Sequence, residues 1–191
     1  MLINEVIEIL AIILSLIYVF LAAREKISCW IFAAISVIMF AYLCFQANLY
    51  LESLLQIFYL AMAIYGYIHW GKTKKLQIKK YNYKNHLVII FSGLLLTFIT
   101  GYIFNRYTDA AFPYLDSFTT IFSLFATIMV VRKILDNWLY WIIIDLVSIY
   151  LYFNRGLEFT SFLFFIYTII AIFGYFSWKK KLQHENNNYW T

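Results

Sequence analysis

The residue in this sequence that most needs a chemical explanation is Asp145, an acid inside the apolar run DNWLYWIIIDLVSIYLY (residues 136–152). Trp138 and Trp141 precede it at helical spacing, so the three side chains share one face of a helix. An acid beside aromatic rings suits a flat cationic ring, because each cation–π contact contributes about 0.5–2 kcal/mol. The pattern therefore predicts a binding face for such a ligand.

The composition indicates where this helix lies. Of 191 residues, 64% are hydrophobic, 22% aromatic and 13% charged, whereas roughly a quarter of a soluble domain is charged. We therefore predict an all-α integral membrane protein, with one membrane domain over residues 1–191. A helix needs about 20 residues to cross the bilayer, and the apolar runs predict seven transmembrane helices. They are at residues 3–22, 28–45, 50–70, 86–105, 114–132, 136–153 and 158–178.

The charges between these spans predict an orientation. Of the 15 Lys and Arg residues, only Arg106 and Arg155 fall on one side of the predicted membrane. Cytoplasmic loops are enriched in Lys and Arg, so we expect the C-terminus in the cytoplasm and the N-terminus outside. The first run lacks a positively charged lead and is expected to be a retained span. Topology thus explains the net charge of +5, and no nucleic-acid partner is expected.

An ungapped internal repeat divides the spans into two groups. At a shift of 108 residues the identical pairs include Arg24 and Arg132, Trp30 and Trp138, Tyr59 and Tyr167, Gly66 and Gly174, and Trp70 and Trp178. We predict a three-helix unit (residues 3–70), a linker helix (86–105) and a second three-helix unit (114–178). The two units run the same way through the membrane, as parallel repeats typical of transporters. Trp70 and Trp178 are expected in an interfacial aromatic belt.

Two more spans carry polar residues on one helix face. In the fifth span the polar residues are Asp116, Thr120, Ser123 and Thr127. In the third span this face consists of Glu52, Gln56, Tyr59, Ala63, Gly66 and Trp70. For the serines, interhelical hydrogen bonds of about 0.6 kcal/mol each are an adequate explanation. An acid at mid-helix costs about 2.5–3.5 kcal/mol, so Asp145 must be hydrated, protonated or matched by a ligand.

From Arg24 to Trp178 the chain resembles the PnuC family of vitamin transporters. The resemblance rests on four stretches: REKISCW, LLQIFYLAMAIYGYIHW, DAAFPYLDSFTTIFSLFATIMVVRK and NWLYWIIIDLVSIYLY. Its most specific element is the pair Trp138 and Trp141 following Asn137. The resemblance implies a 3+1+3 arrangement similar to that of the sugar-transporting SWEET proteins, and a homo-oligomer with a trimer as first candidate.

The same resemblance implies a function. It is the uptake of nicotinamide riboside across the bacterial inner membrane by facilitated diffusion, with trapping by phosphorylation in the cytoplasm. The site would lie between the two three-helix units. The expected substrate-binding residues are Trp138, Trp141, Asp145, Asn137, Gln56, Thr120, Thr127, Asp116 and Tyr59. The tryptophans and Asp145 would hold the pyridinium ring, and hydroxyl and amide groups would bind the carboxamide and the ribose.

The sequence is also compatible with two other functions. Thiamine, another flat aromatic cation, is the alternative substrate, and a membrane protein without transport activity is a further alternative. We expect no enzyme and no catalytic residue, because the sequence contains neither paired catalytic carboxylates nor an HExxH motif. Cys29 and Cys44 are isolated, so we expect neither a metal site nor a cofactor.

Overall fold

The computed structural model of the protein describes residues 2–47, 50–72 and 76–187. Seven α-helices lie in these ranges: α1 (Leu2–Ala23), α2 (Cys29–Gln46), α3 (Tyr50–Trp70), α4 (Tyr83–Tyr107), α5 (Pro113–Val131), α6 (Asn137–Asn154) and α7 (Glu158–Asn187). The all-α class and the order of the predicted helices are confirmed. In the basic loop before α4, Lys74 and Lys75 lie outside the described residues.

Local sequence explains several helix ends. The Asn82 side chain accepts a hydrogen bond of 3.0 Å from the Asn85 backbone N–H, so α4 begins at a polar cap ahead of its apolar run. Pro113 occupies the first turn of α5, where its missing N–H costs nothing. Gly156, with φ of 72°, follows α6 in the left-handed conformation that commonly ends a helix. Apolarity alone therefore locates the helices but not their exact ends.

Within the described residues, five helices are long and apolar enough to cross a membrane: α1, α2, α4, α5 and α7. Of the other two helices, α6 falls short because of its composition, since its length of 18 residues equals that of α2, and α3 is not among the candidates found within the described residues. Both helices carry more Trp, Tyr and polar side chains, including Gln56 and Asp145. The predicted site residues lie on these two helices and on α5.

The helices form two compact units, Met1–Gln77 and Ile78–Thr191. In the first unit α2 packs against both α1 and α3. The Ser36 hydroxyl donates a hydrogen bond of 2.8 Å to the Ala11 carbonyl of α1. This bond is an interhelical bond of the kind expected for the serines. In the second unit α5 packs against α4 and α6, and α6 packs against α7.

Each unit contains the same pair of tryptophans packed beside a glycine. The pairs are Trp30 with Trp70, at a ring-centroid distance of 5.2 Å and 85°, and Trp138 with Trp178, at 5.4 Å and 89°. A Cβ added at Gly66 would overlap the Trp30 indole, and one added at Gly174 would overlap the Trp138 indole. The identical Trp and Gly residues found at a shift of 108 therefore make the same contacts in both units.

Backbone details recur at the same shift. The Ser53 hydroxyl donates to the Ala41 carbonyl at 3.2 Å, and the Ser161 hydroxyl donates to the Ile149 carbonyl at 3.0 Å. The turn after α1 contains Glu25 with φ of 52°, and the turn after α5 contains Lys133 with φ of 53°. Non-glycine residues rarely adopt this conformation. Because this φ recurs at equivalent positions, the two turns have a similar backbone conformation there.

The expectation that Trp70 and Trp178 form an interfacial belt is wrong. Trp70 is 9% exposed and Trp178 is 0% exposed. Each packs edge-on against the other tryptophan of its unit, a favoured geometry for aromatic pairs. Their position near the end of a span did not reveal this partner, which comes from another helix of the same unit.

A short extended segment ties the loop before α4 to the connection between α5 and α6. The Lys79 N–H donates to the Lys133 carbonyl at 3.0 Å, and the Leu135 N–H donates to the Lys79 carbonyl at 2.7 Å. Ile78 is buried beside them. These contacts fix the start of α4 within the second unit.

Candidate functional site

Asp145 lies on the buried side of α6. It is 3% exposed, and its carboxyl group has no hydrogen-bond or ion-pair partner in the part of the chain that the structure describes. Burying a carboxylate without a partner is costly. A buried carboxyl group of this kind must be protonated, hydrated or matched by a ligand.

The two tryptophans on the same helix have different surroundings. Trp138 is 2% exposed and its ring contacts Trp178 and the Gly174 backbone. Trp141 is only partly buried and packs against the cluster of apolar side chains between α5 and α6. Trp141 therefore has the more accessible ring, whereas Trp138 is fixed inside the contact between α6 and α7.

Asn137, the first residue of α6, is fully buried. Its side-chain Nδ2 donates a hydrogen bond of 2.6 Å to the Ile134 carbonyl. Its Oδ1 is buried without a hydrogen-bond partner among the described residues. One end of this amide thus holds the turn before α6, and the other end is an acceptor that remains to be satisfied.

The hydroxyls of α5 donate to carbonyl groups of their own helix. Thr127 donates to the Ser123 carbonyl at 2.7 Å, and Ser123 donates to the Thr120 carbonyl at 2.8 Å. Thr127 is buried and Thr120 is half-buried. Because a hydroxyl oxygen has two lone pairs, these oxygens can still accept hydrogen bonds from a ligand.

Asp116 differs from Asp145 because it already has a cation. Nη2 of Arg155 donates to Oδ2 of Asp116 at 2.5 Å, and the Arg155 guanidinium also lies 5.9 Å from the centre of the Phe112 ring. Sequence reasoning counted Arg155 only as a charge on the outer side. This ion pair could have been predicted from the antiparallel packing of α5 and α6, because that packing brings the start of α5 next to the end of α6.

Two predicted residues, Gln56 and Tyr59, lie one turn apart on α3 of the first unit, and both are half-buried. Tyr59 packs edge-on against the neighbouring Phe58 ring at 5.6 Å. The other predicted residues lie on the packed helices α5 and α6 of the second unit. They extend along that helix pair, from Asp116 at one end to Asn137 at the other.

Sequence reasoning missed a polar cluster at the start of α6. The Asp136 carboxylate accepts a hydrogen bond of 2.8 Å from the Tyr81 backbone N–H and lies 3.7 Å from Nε2 of His86. Nδ1 of His86 lies 2.9 Å from the Tyr140 hydroxyl oxygen. His86, the first residue of the predicted span 86–105, lies in the first turn of α4. The cluster joins α4 to α6 at the end of the unit that carries Lys79.

The described residues contain no group of three or more His, Cys, Asp or Glu side chains that could hold a metal ion. Neither Cys29, which is buried, nor Cys44, which is half-buried, forms a disulfide. The polar groups available for a ligand are therefore carboxyl, amide, hydroxyl and indole groups.

Known proteins resemble this chain along most of its length. The chain is 29% identical to the nicotinamide riboside transporter PnuC of Escherichia coli strain K12, over 90% of this chain and 84% of that protein. It is 23% identical to the PnuC of Neisseria mucosa, over 92% of this chain and 73% of that protein. The riboflavin/roseoflavin transporter RibM of Streptomyces davaonensis is 22% identical over 66% of this chain and 63% of its own length.

A solved structure has the same fold. The crystal structure of the vitamin B3 transporter PnuC superposes with a TM-score of 0.74 at 22% sequence identity, covering 93% of this chain and 82% of that one. The family model described as nicotinamide mononucleotide transporter matches residues 5–180. Because that match includes nearly all of the described helices, the chain belongs to the nicotinamide mononucleotide transporter family and is a membrane transporter.

Proposed function

We propose that this protein carries nicotinamide riboside across the bacterial inner membrane by facilitated diffusion. The PnuC relatives from Escherichia coli and Neisseria mucosa are nicotinamide riboside transporters, which supports this substrate. The stretch GYIHWGKT (residues 66–73) fits the letters of the GxxxxGK[ST] pattern, but Gly66 to Trp70 lie at the end of α3. A phosphate-binding loop instead follows a strand and opens a helix, so this stretch does not support ATP-driven transport. Phosphorylation of the nucleoside in the cytoplasm then traps it inside the cell and maintains net uptake.

The observation that carries this proposal is the buried Asp145 carboxyl group without a partner. The pyridinium ring of nicotinamide riboside has a fixed positive charge and supplies the missing counter-charge. Trp141 lies one helical turn from Asp145 on the same face of α6. An aromatic face and an acid one turn apart match a ring that is both flat and cationic.

The rest of the proposed site binds the neutral parts of the substrate. We assign this role to Gln56, Tyr59, Thr120, Thr127, Asn137 and Asp116. The unsatisfied Oδ1 of Asn137 suits the carboxamide N–H₂ group or a ribose hydroxyl. Trp138 acts as a positioning residue in this scheme, because its ring is held by Trp178 and Gly174.

The proposed topology has seven spans in a 3+1+3 arrangement like that of SWEET proteins, with α4 as the linker helix. The contacts that recur at a shift of 108 residues support two equivalent three-helix units. The positive charges support a cytoplasmic C-terminus and an external N-terminus. We also propose that three copies assemble in the membrane and that the transporter uses no cofactor.

Thiamine is the second candidate substrate, because it is also a flat aromatic cation. The RibM relative is a riboflavin/roseoflavin transporter, so proteins with related sequences carry more than one flat vitamin. Riboflavin is uncharged and leaves the Asp145 carboxyl group unmatched. Asp145 therefore favours a cationic substrate over a neutral one.

Uptake into vesicles tests the proposed function. Purified protein in proteoliposomes is expected to equilibrate labelled nicotinamide riboside across the bilayer without ATP or an ion gradient. Excess unlabelled nicotinamide riboside should compete with the label, and thiamine and riboflavin should compete weakly. Protein-free liposomes provide the baseline.

Three results would contradict parts of this proposal. Indifference to nicotinamide riboside and thiamine alike would remove the transport assignment. Stronger competition by thiamine would reassign the substrate. Uptake that depends on an imposed proton gradient would replace facilitated diffusion with proton coupling and give Asp145 the role of a proton relay.

Replacing Trp141 by leucine tests the aromatic part of the site. Leucine keeps an apolar side chain against the α5–α6 cluster but removes the π surface, so we expect the Kd for nicotinamide riboside to rise about tenfold. Trp178→Leu is the matched control, because Trp178 is buried against Trp138. It should lower the unfolding temperature and raise the Kd of the remaining folded protein far less than Trp141→Leu does. Equal changes in Kd for both variants would show that Trp141 does not contact substrate.

A further inference from the structure

An apolar groove of about 350 Å³ runs along the second unit between α4, α5 and α6. Ile90 and Leu94 of α4 form one wall, Phe118 and Phe122 of α5 form the floor, and Ile143 lies on the α6 side. Leu94 and Ile143 are more than half exposed. No described side chain covers the open side of this groove, so in a bilayer another molecule lies against it.

The groove has a defined length and direction. His86, Ile90 and Leu94 follow one another at steps of four along α4, so the wall is about 12 Å long. It begins in the first turn of α4 and ends near the middle of that helix. This length matches part of an extended acyl chain and places one end of the groove at the membrane surface.

The surface end of the groove is polar and cationic. His86 and Tyr140 line this end, and exposed cations lie in the first turn of α4 and in the segments that pair beside it: Lys79, Lys80, Lys84 and Arg132. The acid at this end, Asp136, is buried and already bonded to the Tyr81 N–H beside His86. The exposed charge around the groove entrance is therefore positive.

We propose that this groove binds one acyl chain of an anionic glycerophospholipid, with the phosphate near Lys80 and Lys84. Basic sites between transmembrane helices on the cytoplasmic side bind anionic headgroups, and the apolar groove accommodates the chain below them. A zwitterionic lipid fits the same groove but gains less from the cations. The lipid site is separate from the Asp145 face and does not depend on the identity of the transported substrate.

Native mass spectrometry of the delipidated full chain tests this site, with phosphatidylglycerol and phosphatidylcholine of identical acyl chains as probes. The protein is expected to retain one phosphatidylglycerol with about tenfold preference over phosphatidylcholine. Leu94→Trp fills the groove and should reduce retention of both lipids. Leu95→Trp is the matched control, because Leu95 has nearly the same exposure, 50% against 52%, but does not line the groove.

A second variant separates the headgroup from the chain. In Lys80→Gln/Lys84→Gln, retention of phosphatidylglycerol should fall to the level of phosphatidylcholine, whose own retention should not change. Equal retention of both lipids by the unmodified protein would overturn the proposal, and so would equal behaviour of Leu94→Trp and Leu95→Trp. Loss of oligomers in Leu94→Trp with unchanged lipid retention would assign the groove to a second copy of the chain instead.

Discussion

Replacing Gly174 by alanine is expected to destabilise the folded protein by about 2–3 kcal/mol. An added Cβ would lie 2.7 Å from Cε2 and 2.8 Å from Cδ2 of Trp138. The Trp138 ring has little room to move, because it is buried and packs edge-on against Trp178. We therefore expect a lower midpoint of thermal unfolding in detergent and a smaller folded fraction on size exclusion.

The internal repeat supplies a parallel test of this packing. Gly66→Ala should have a similar effect, because Gly66 bears the same relation to Trp30. Ile172→Ala serves as the control on α7, at an exposed position. Trp138→Phe should restore part of the lost stability in the Gly174→Ala background, since a single ring leaves room for the methyl group. An unchanged unfolding midpoint in Gly174→Ala would show that the contact between α6 and α7 is looser than the structure indicates.

The sequence contains enough information to locate the helices and the repeat. Long apolar runs identify each helix because spanning a membrane requires about 20 residues. The identical Trp and Gly residues at a shift of 108 correctly mark equivalent positions in the two units. The ends of α4 and α7 extend beyond the predicted spans because polar residues such as Asn82 and Lys181 cap or continue helices outside the apolar run.

The contacts of individual side chains were harder to predict. Helical spacing places Trp138 and Trp141 on one face of α6, but only the packing of α7 distinguishes a fixed ring from an accessible one. The ion pair of Asp116 with Arg155 joins residues 39 positions apart, and no local pattern marks it. Asp145 is the opposite case, since an acid in an apolar run was identified from sequence alone.

Replacing Asp145 by asparagine is expected to have the largest effect on substrate binding. Removing one member of a buried charge pair costs about 2–5 kcal/mol, so the Kd for nicotinamide riboside should rise at least about thirtyfold. Asparagine has nearly the same shape as aspartate and can still form hydrogen bonds. Titration of the purified protein with nicotinamide riboside measures this change.

The reduced form of nicotinamide riboside provides the matched ligand, because its ring is almost the same size but carries no positive charge. Its affinity should be nearly equal for the unmodified protein and for Asp145→Asn, so the ratio of the two Kd values isolates the charge. Similar losses for both ligands would mean that Asp145 shapes the site without balancing a charge.

The stability of the substrate-free protein should change in the opposite direction. A neutral amide is less costly to bury than a carboxylate without a partner, so Asp145→Asn should unfold at the same or a higher temperature when no substrate is present. Binding sites commonly trade stability for function in this way. A variant that binds nicotinamide riboside weakly and also unfolds early would instead place Asp145 among the residues that hold α6 in the fold. The combination of weaker binding with undiminished stability is therefore the result that identifies Asp145 as the counter-charge for a cationic substrate.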